Sequence, residues 1–280
     1  MRLITQTFPG GAVLTGWVRG RIDSCPAFDV RPAVVILPGG GYEYCSQRES
    51  EPVVMQFLAA GYQAFVLEYS VMEQARDWHP MQDAARALAW VRKNAADLNT
   101  DPDRIAVCGF SAGGHLAAST AILWDAEPVQ QALGGDRGLN RPNAVILGYP
   151  VITSGAFAHQ GSIDRVAGDD PALRQTFSLE QRVRPGLPPF FIWHTVADEL
   201  VPVENSMLLA AALRKNQVPF ELHLFAGGHH GMSLCTAEVH DANPHNAHWF
   251  ALCREWLDDV FDYHPGPHGG SEPAPAPHGC

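Results

Sequence analysis

Apolar residues fall in two rhythms along this chain. Short, nearly unbroken apolar runs closed by Gly, Pro, Asn or Asp predict strands at residues 12–18, 32–38, 63–69, 103–110, 143–150, 189–196 and 220–226. The opening stretch "MRLITQTF" alternates and also reads as a strand. Apolar positions spaced three and four apart predict helices at 50–62, closed by Gly61, and at 79–98, 111–124, 203–217 and 247–261. Helices between fully apolar strands imply a mostly parallel sheet covered on both faces, an α/β fold. No helix separates the strands at 12–18 and 32–38, so the sheet is expected to begin antiparallel. No internal repeat interrupts this order.

These elements outline a single domain over residues 1–262. The stretch at about 151–187 is too long for a plain connection and is expected to be a small insertion over the functional edge. Residues 263–280 are rich in Pro, Gly and His and are expected to be a disordered tail.

Composition narrows the function classes. The formal net charge is −11 and basic residues do not cluster, which argues against nucleic acid and anionic membrane as partners. No stretch is long and apolar enough to span a bilayer. Gly and Pro break the N-terminal segment before a signal-peptide core could form. The cysteines (Cys25, Cys45, Cys108, Cys235, Cys253, Cys280) are scattered. They read as reduced thiols of a cytoplasmic protein, with Cys108 a small core hydrophobe.

The chemistry concentrates where predicted strands end. Gly109-Phe110-Ser111-Ala112-Gly113 fits G-x-S-x-G between a strand and a helix, the geometry of a nucleophile elbow. The flanking glycines remove Cβ atoms that would collide in so sharp a turn. The helix N-terminus behind Ser111 favours negative charge. A serine hydroxyl needs a base, and the base needs an orienting acid. Asp198 and Glu199 follow one late strand, and His229 and His230 follow the last. An oxyanion site needs backbone N–H groups. Ala112 supplies one, and Gly39, Gly40 and Gly41 after an early strand supply others. A phosphate-binding loop is the rival reading of those glycines, but its lysine and hydroxyl are missing.

Together, "LPGGGYEYCS", "GFSAGGHLAA", "GYPVIT", "WHTVADELVPVENS" and "GGHHGMSL" resemble the alpha/beta-hydrolase superfamily. The likeness is to its esterase/lipase branch, related to acetyl-xylan and feruloyl esterases, and runs from about residue 33 to 257. The resemblance implies Ser111 as nucleophile. It implies Asp198 as acid, because Val201-Pro202 follows at the family spacing, and His230 as base, from the register G-x-H-G. The loop carries the proline form, Pro38 before Gly39, Gly40 and Gly41. The implied activity is hydrolysis of short acyl esters, such as acetyl groups on sugars or oligosaccharides, with no cofactor. Feruloyl ester hydrolysis, peptidase activity and a catalytically inactive binding protein are the alternatives.

Tyr42, Glu43 and Tyr44, just past the glycine loop, and Tyr149, leading to the insertion, are candidate substrate contacts. His115 and His194 read as structural, as does Asp83. His240, His245 and His248 resemble a metal cluster by composition only, so no metal site is expected. Glu68 stands where relatives carry a basic or neutral residue.

Overall fold

The structure, a computed structural model, describes residues 1–24 and 26–265. One sheet contains β1 (Arg2–Thr7), β2 (Val13–Val18), β3 (Arg31–Leu37), β4 (Gln63–Glu68), β5 (Thr100–Phe110), β6 (Ala144–Gly148), β7 (Phe190–Thr195) and β8 (Phe220–Phe225). Their spatial order is β1-β2-β4-β3-β5-β6-β7-β8. β1 pairs with β2 and β2 with β4 antiparallel, and every other pairing is parallel.

The sheet therefore begins antiparallel, but not by pairing the strands at 12–18 and 32–38. β2 lies against β4, with Val13 opposite Glu68, and β3 lies between β4 and β5. Burial explains the choice. Every residue of β3 is buried, whereas β2 is buried at alternate positions. The two-sided strand takes the centre and the one-sided strand goes towards the edge.

Helices α1 (Glu51–Ala59) and α8 (His248–Phe261) cover one face of the sheet. Their Val54, Phe57, Trp249 and Leu257 pack with Val34 and Ile36 of β3. Helices α2 (His79–Lys93), α3 (Ser111–Ile122) and α7 (Glu204–Lys215) cover the other, where Leu88, Leu116 and Leu209 meet Val35 and Leu37. Alternate residues of one strand thus feed two cores, as the period of two requires. All of α3 is buried, and its small residues let it lie close to the sheet.

Three features depart from the sequence pattern. α2 stops at Lys93 rather than 98, because the Asn94 side chain donates to Trp90 O (2.8 Å) and turns the chain early into β5. A short helix, α4 (Glu127–Leu133), lies outside the expected elements, since seven residues carry too little periodicity to be read. Tyr263 does not belong to the tail. It is buried, and its hydroxyl donates to Gly61 O (3.0 Å) while accepting from Arg31 Nη1 (3.1 Å). From residue 266 on, the expected tail lies outside the described residues.

The stretch at 151–187 holds α5 (Gln160–Ala167) and α6 (Pro171–Thr176). Asp83 is buried within the fold, where its Oδ2 accepts from Ser70 N (3.0 Å) and Ser70 Oγ (2.5 Å). Glu68 closes β4 with its side chain exposed. Among the described residues no helix is long and apolar enough to cross a membrane.

Candidate active site

Four loops at the carboxyl ends of parallel strands meet at one point, as open α/β sheets favour. β5 delivers Ser111 in the left-handed region, with φ 53°. For a residue other than glycine that conformation is strained and persists only where its surroundings enforce it. Here they do. α3 lies so close to the end of β3 that a Cβ on Gly113 would overlap the carbonyl oxygens of Leu37 and Pro38. The chain must turn at Ser111, and its side chain stands clear of the sheet.

The loop after β8 brings His230 to Ser111, and the loop after β7 brings Asp198 to His230. The Ser111 hydroxyl donates to His230 Nε2 (2.7 Å), and His230 Nδ1 donates to Asp198 Oδ2 (2.7 Å). Asp198 Oδ1 accepts from Leu200 N (3.0 Å) and Val201 N (2.9 Å), while His194 Nε2 lies 3.3 Å from Oδ2. Burial alone would raise the Asp198 carboxyl. The hydrogen bonds from His194 and His230, with the charge of His230 and the Val201 N–H, outweigh it and hold the group well below the usual carboxylate range. A permanent carboxylate behind the ring keeps the Nδ1 proton in place and leaves Nε2 to accept.

The neighbours of these residues lie elsewhere. Glu199 is exposed. His229 points outward, its side chain 65% exposed, and pairs with Asp241 (2.5 Å), which also holds Arg48 (3.0 Å). His194 is fully buried between Ser206 Oγ (2.8 Å) and Val201 O (3.0 Å). His115 accepts from the Tyr42 hydroxyl (2.8 Å) and donates to Phe177 O (2.9 Å), and burial pushes it down to about 4. Among the described residues no three His, Cys, Asp or Glu side chains form a metal-holding group.

The glycine loop faces Ser111. Pro38 O accepts from the Tyr69 hydroxyl (2.5 Å), Gly39 O from Ser46 N (2.9 Å), and Gly40 O from Glu43 N (2.9 Å). Among the described residues the N–H groups of Gly40, Gly41 and Ala112 donate to nothing. Ala112 N belongs to the first turn of α3, where no intrahelical partner exists. Unpaired donors around a hydroxyl that is itself hydrogen-bonded to an imidazole can hold a negative oxygen formed by attack on a carbonyl.

A cavity of about 350 Å³ opens over Ser111 and His230, lined by Gly40, Gly41, Glu43, Tyr44, Arg48, Glu49, His159 and Leu200 among others. Of the expected substrate contacts, Glu43 and Tyr44 reach it. Tyr42 and Tyr149 do not: both are fully buried. Tyr149 donates to Glu49 Oε1 (2.5 Å) and accepts from Ser233 N (2.8 Å), and its ring meets the His230 ring edge-on at 5.0 Å.

Sequence pattern does not single out Arg48, Glu49, His159 or Leu200. Glu49 lies in "QRESEP", which reads as the charged start of a helix, and His159 in a polar stretch without periodicity. His159 Nδ1 accepts from Ser162 N (3.3 Å) and so caps α5. Burial, then the field of His230, lowers its pKa. With Nδ1 accepting, a neutral ring carries its proton on Nε2, and the residue lines the cavity.

The BD-FAE family model matches residues 27–213. The chain is 39% identical over 217 residues to endo-1,4-beta-xylanase B of Butyrivibrio fibrisolvens, covering 74% of this chain and 33% of that protein. It is 31% identical over 239 residues to the acetylxylan esterase of Xylanibacter ruminicola, covering 82% of this chain and 45% of that one. It spans less than half the length of either relative. Among solved structures, the acetyl ester-xyloside bifunctional hydrolase of Caldicellulosiruptor lactoaceticus superposes with a TM-score of 0.80 at 38% identity, covering 91% of this chain and 90% of that one. The carboxylesterase Cest-2923 of Lactobacillus plantarum gives 0.84 at 27% identity, covering 95% and 100%. With the matched region and the mostly parallel sheet in agreement, the chain belongs to the BD-FAE family, in the esterase/lipase branch of the alpha/beta-hydrolase superfamily.

Proposed function

We propose that this chain is a serine carboxylesterase that removes short acyl groups, acetyl foremost, from small polar alcohols of the sugar type. The observation that carries the reading is the relay of two 2.7 Å hydrogen bonds from Asp198 through His230 to Ser111. In this reading His230 takes the Ser111 proton as Oγ attacks the ester carbonyl. The carbonyl oxygen gains its negative charge among the N–H groups of Ala112, Gly40 and Gly41. His230 then protonates the departing alcohol, and water, activated by the same ring, releases the acid from Ser111. Asp198 holds the imidazole in one tautomer throughout and stabilises the imidazolium.

The substrate class rests on the relatives and on the cavity. The acetylxylan esterase and the acetyl ester-xyloside hydrolase both carry acetyl esters in their names. Glu43, Arg48, Glu49 and His159 give the cavity polar and charged walls, which suit hydroxyl groups better than an alkyl chain. Oligosaccharide esters are the extended form of the same substrate. We read residues 151–187 as an insertion on a single domain, contributing His159. The described cysteines Cys45, Cys108, Cys235 and Cys253 are free thiols, which suits a cytoplasmic setting.

The test is a series of p-nitrophenyl esters of graded acyl length, run beside acetylated and feruloylated sugars. Activity is expected to peak at acetyl to butyryl and to fall gradually, since one methylene discriminates by only about 1–3 kcal/mol. A maximum beyond about ten carbons would assign the chain to long-chain lipids instead.

A further inference from the structure

Glu49 is a buried carboxylate that the relay does not use. Only 3% of the residue is exposed, and both of its oxygens accept from elements of the site. Oε2 takes the N–H of Gly39 (2.7 Å), and Oε1 takes the hydroxyl of Tyr149 (2.5 Å). Gly39 is gripped from both sides, because its carbonyl accepts from Ser46 N (2.9 Å), three residues before Glu49. The contact depends on glycine: a Cβ there would stand 2.7 Å from Glu49 Oε2 and 3.0 Å from the Ser111 Cβ. Gly39 N–H is thus taken by Glu49, and the next two residues, Gly40 and Gly41, line the cavity together with Ser111.

The second arm reaches the base. Tyr149 lies between Glu49 and the loop after β8, accepting from Ser233 N (2.8 Å) and resting edge-on against the His230 ring. One carboxylate thereby connects the oxyanion loop to the histidine loop through the interior of the fold. We propose that Glu49 is a positioning residue for the esterase reaction, setting the oxyanion loop through Gly39 and the His230 ring through Tyr149. The inference rests on the esterase reading above.

The chemistry requires a carboxylate. Both partners donate, so both oxygens must accept. Glutamine offers one acceptor and one donor. Its amide nitrogen would oppose either Gly39 N–H or a Tyr149 oxygen already occupied by Ser233 N–H. A buried charge is costly, and a well-packed neutral side chain is commonly as stable or more so. A fold that needed only filling here would not bear that cost. Burial raises the Glu49 carboxyl, while the hydrogen bonds from Tyr149 and Gly39 and then the field of His230 work the other way and favour its charge. By reciprocity a charged Glu49 favours the imidazolium that forms as Ser111 attacks.

The experiment compares wild type, Glu49→Gln, Tyr149→Phe and Ser111→Ala in the full chain. It measures kcat and KM on p-nitrophenyl acetate, Ki for a trifluoromethyl ketone, and Tm. The ketone adds to the serine and places an oxyanion in the site, so its affinity reports the positioned N–H groups. Glu49→Gln is expected to lower kcat by about ten- to a hundredfold, the scale of a sub-ångström misplacement. KM should stay within about twofold, and Ki should rise by the same factor as kcat/KM falls. Tyr149→Phe is expected to lower kcat about fivefold, the smaller loss of one arm, and to lower Tm as well, because a Glu49 oxygen and the Ser233 N–H lose their buried partner. A Glu49→Gln enzyme with wild-type kcat, or one whose kcat falls while Ki is unmoved, overturns the proposal. If Glu49→Gln does not fold, an unchanged kcat in Tyr149→Phe overturns it instead. Failure of the esterase reading looks different: wild type would then turn over no faster than Ser111→Ala.

Discussion

Replacing Asp198 by asparagine exchanges one oxygen for an amide nitrogen, and the hydrogen-bond geometry predicts the consequence. Oδ1 accepts from two backbone N–H groups, Leu200 and Val201. An asparagine oxygen must stay there, because the opposite rotamer would set its NH₂ against two donors. The amide nitrogen therefore replaces Oδ2 and presents N–H to His230 Nδ1. To avoid a donor–donor contact, each costing about 1–3 kcal/mol, the imidazole moves its proton to Nε2. Ser111 then faces an N–H and has no base. The His194 side of the pocket tolerates the change, because His194 Nε2 keeps Val201 O at 3.0 Å. The expected loss in kcat is about 10⁴-fold, as for a wrong tautomer in a serine relay, or about 5.5 kcal/mol of transition-state stabilisation. Steady-state turnover of p-nitrophenyl acetate at neutral pH measures it. Glu199→Gln is the control and should be nearly silent.

The same substitution has a signature in stability. Asp198 has a depressed pKa, so its contribution is present above the unfolded value of about 3.9 and is lost as pH falls through the folded one. Thermal melts from neutral to acid pH should show Asp198→Asn least stable relative to wild type at neutral pH, with the gap closing as acid is added. A kcat within tenfold of wild type, or a Glu199→Gln loss of equal size, would refute the tautomer reasoning.

The adjacent histidines should separate cleanly. His230→Ala is expected to remove nearly all kcat, whereas His229→Ala keeps most of it, because the His229 side chain points outward to Asp241 and it is His230 that bonds Ser111 and Asp198. Turnover of both variants checks this. His159→Phe should leave kcat on p-nitrophenyl acetate within about threefold and raise KM on an acetylated sugar about tenfold, the worth of about one hydrogen bond. Parallel KM measurements on the two substrates check that.

Much of this site was legible in the sequence, for a physical reason. A chain that must turn from a buried strand into a close-packed helix needs small residues at fixed offsets, so the Ser111 corner shows itself in five letters. The strand ends narrowed the acid to Asp198 or Glu199 and the base to His229 or His230, and the choice between neighbours came from the resemblance, through Val201-Pro202 and the register G-x-H-G. What sequence could not show is which side of a loop faces inward. Tyr42 follows the glycine loop and Tyr149 follows the end of β6, yet both rings turn into the core and meet His115 and His230 edge-on. Glu49 reads as an ordinary charged residue before a helix, since nothing local signals that it will be buried against Gly39. The pairing of β2 with β4 was hidden for a similar reason. Periodicity reports how many faces of a strand are buried, and not which strand lies beside it.

The central claim is that Ser111 is the nucleophile, and covalent trapping tests it most directly. The protein is treated with a p-nitrophenyl dialkyl phosphate, p-nitrophenolate release is followed, and the digested chain is read by mass spectrometry. Phosphorylation should fall on the peptide that carries Ser111, with turnover lost in step with labelling, and Ser111→Ala should take up no label. An adduct on a different residue, or inhibition that leaves Ser111 unmodified, would contradict the account.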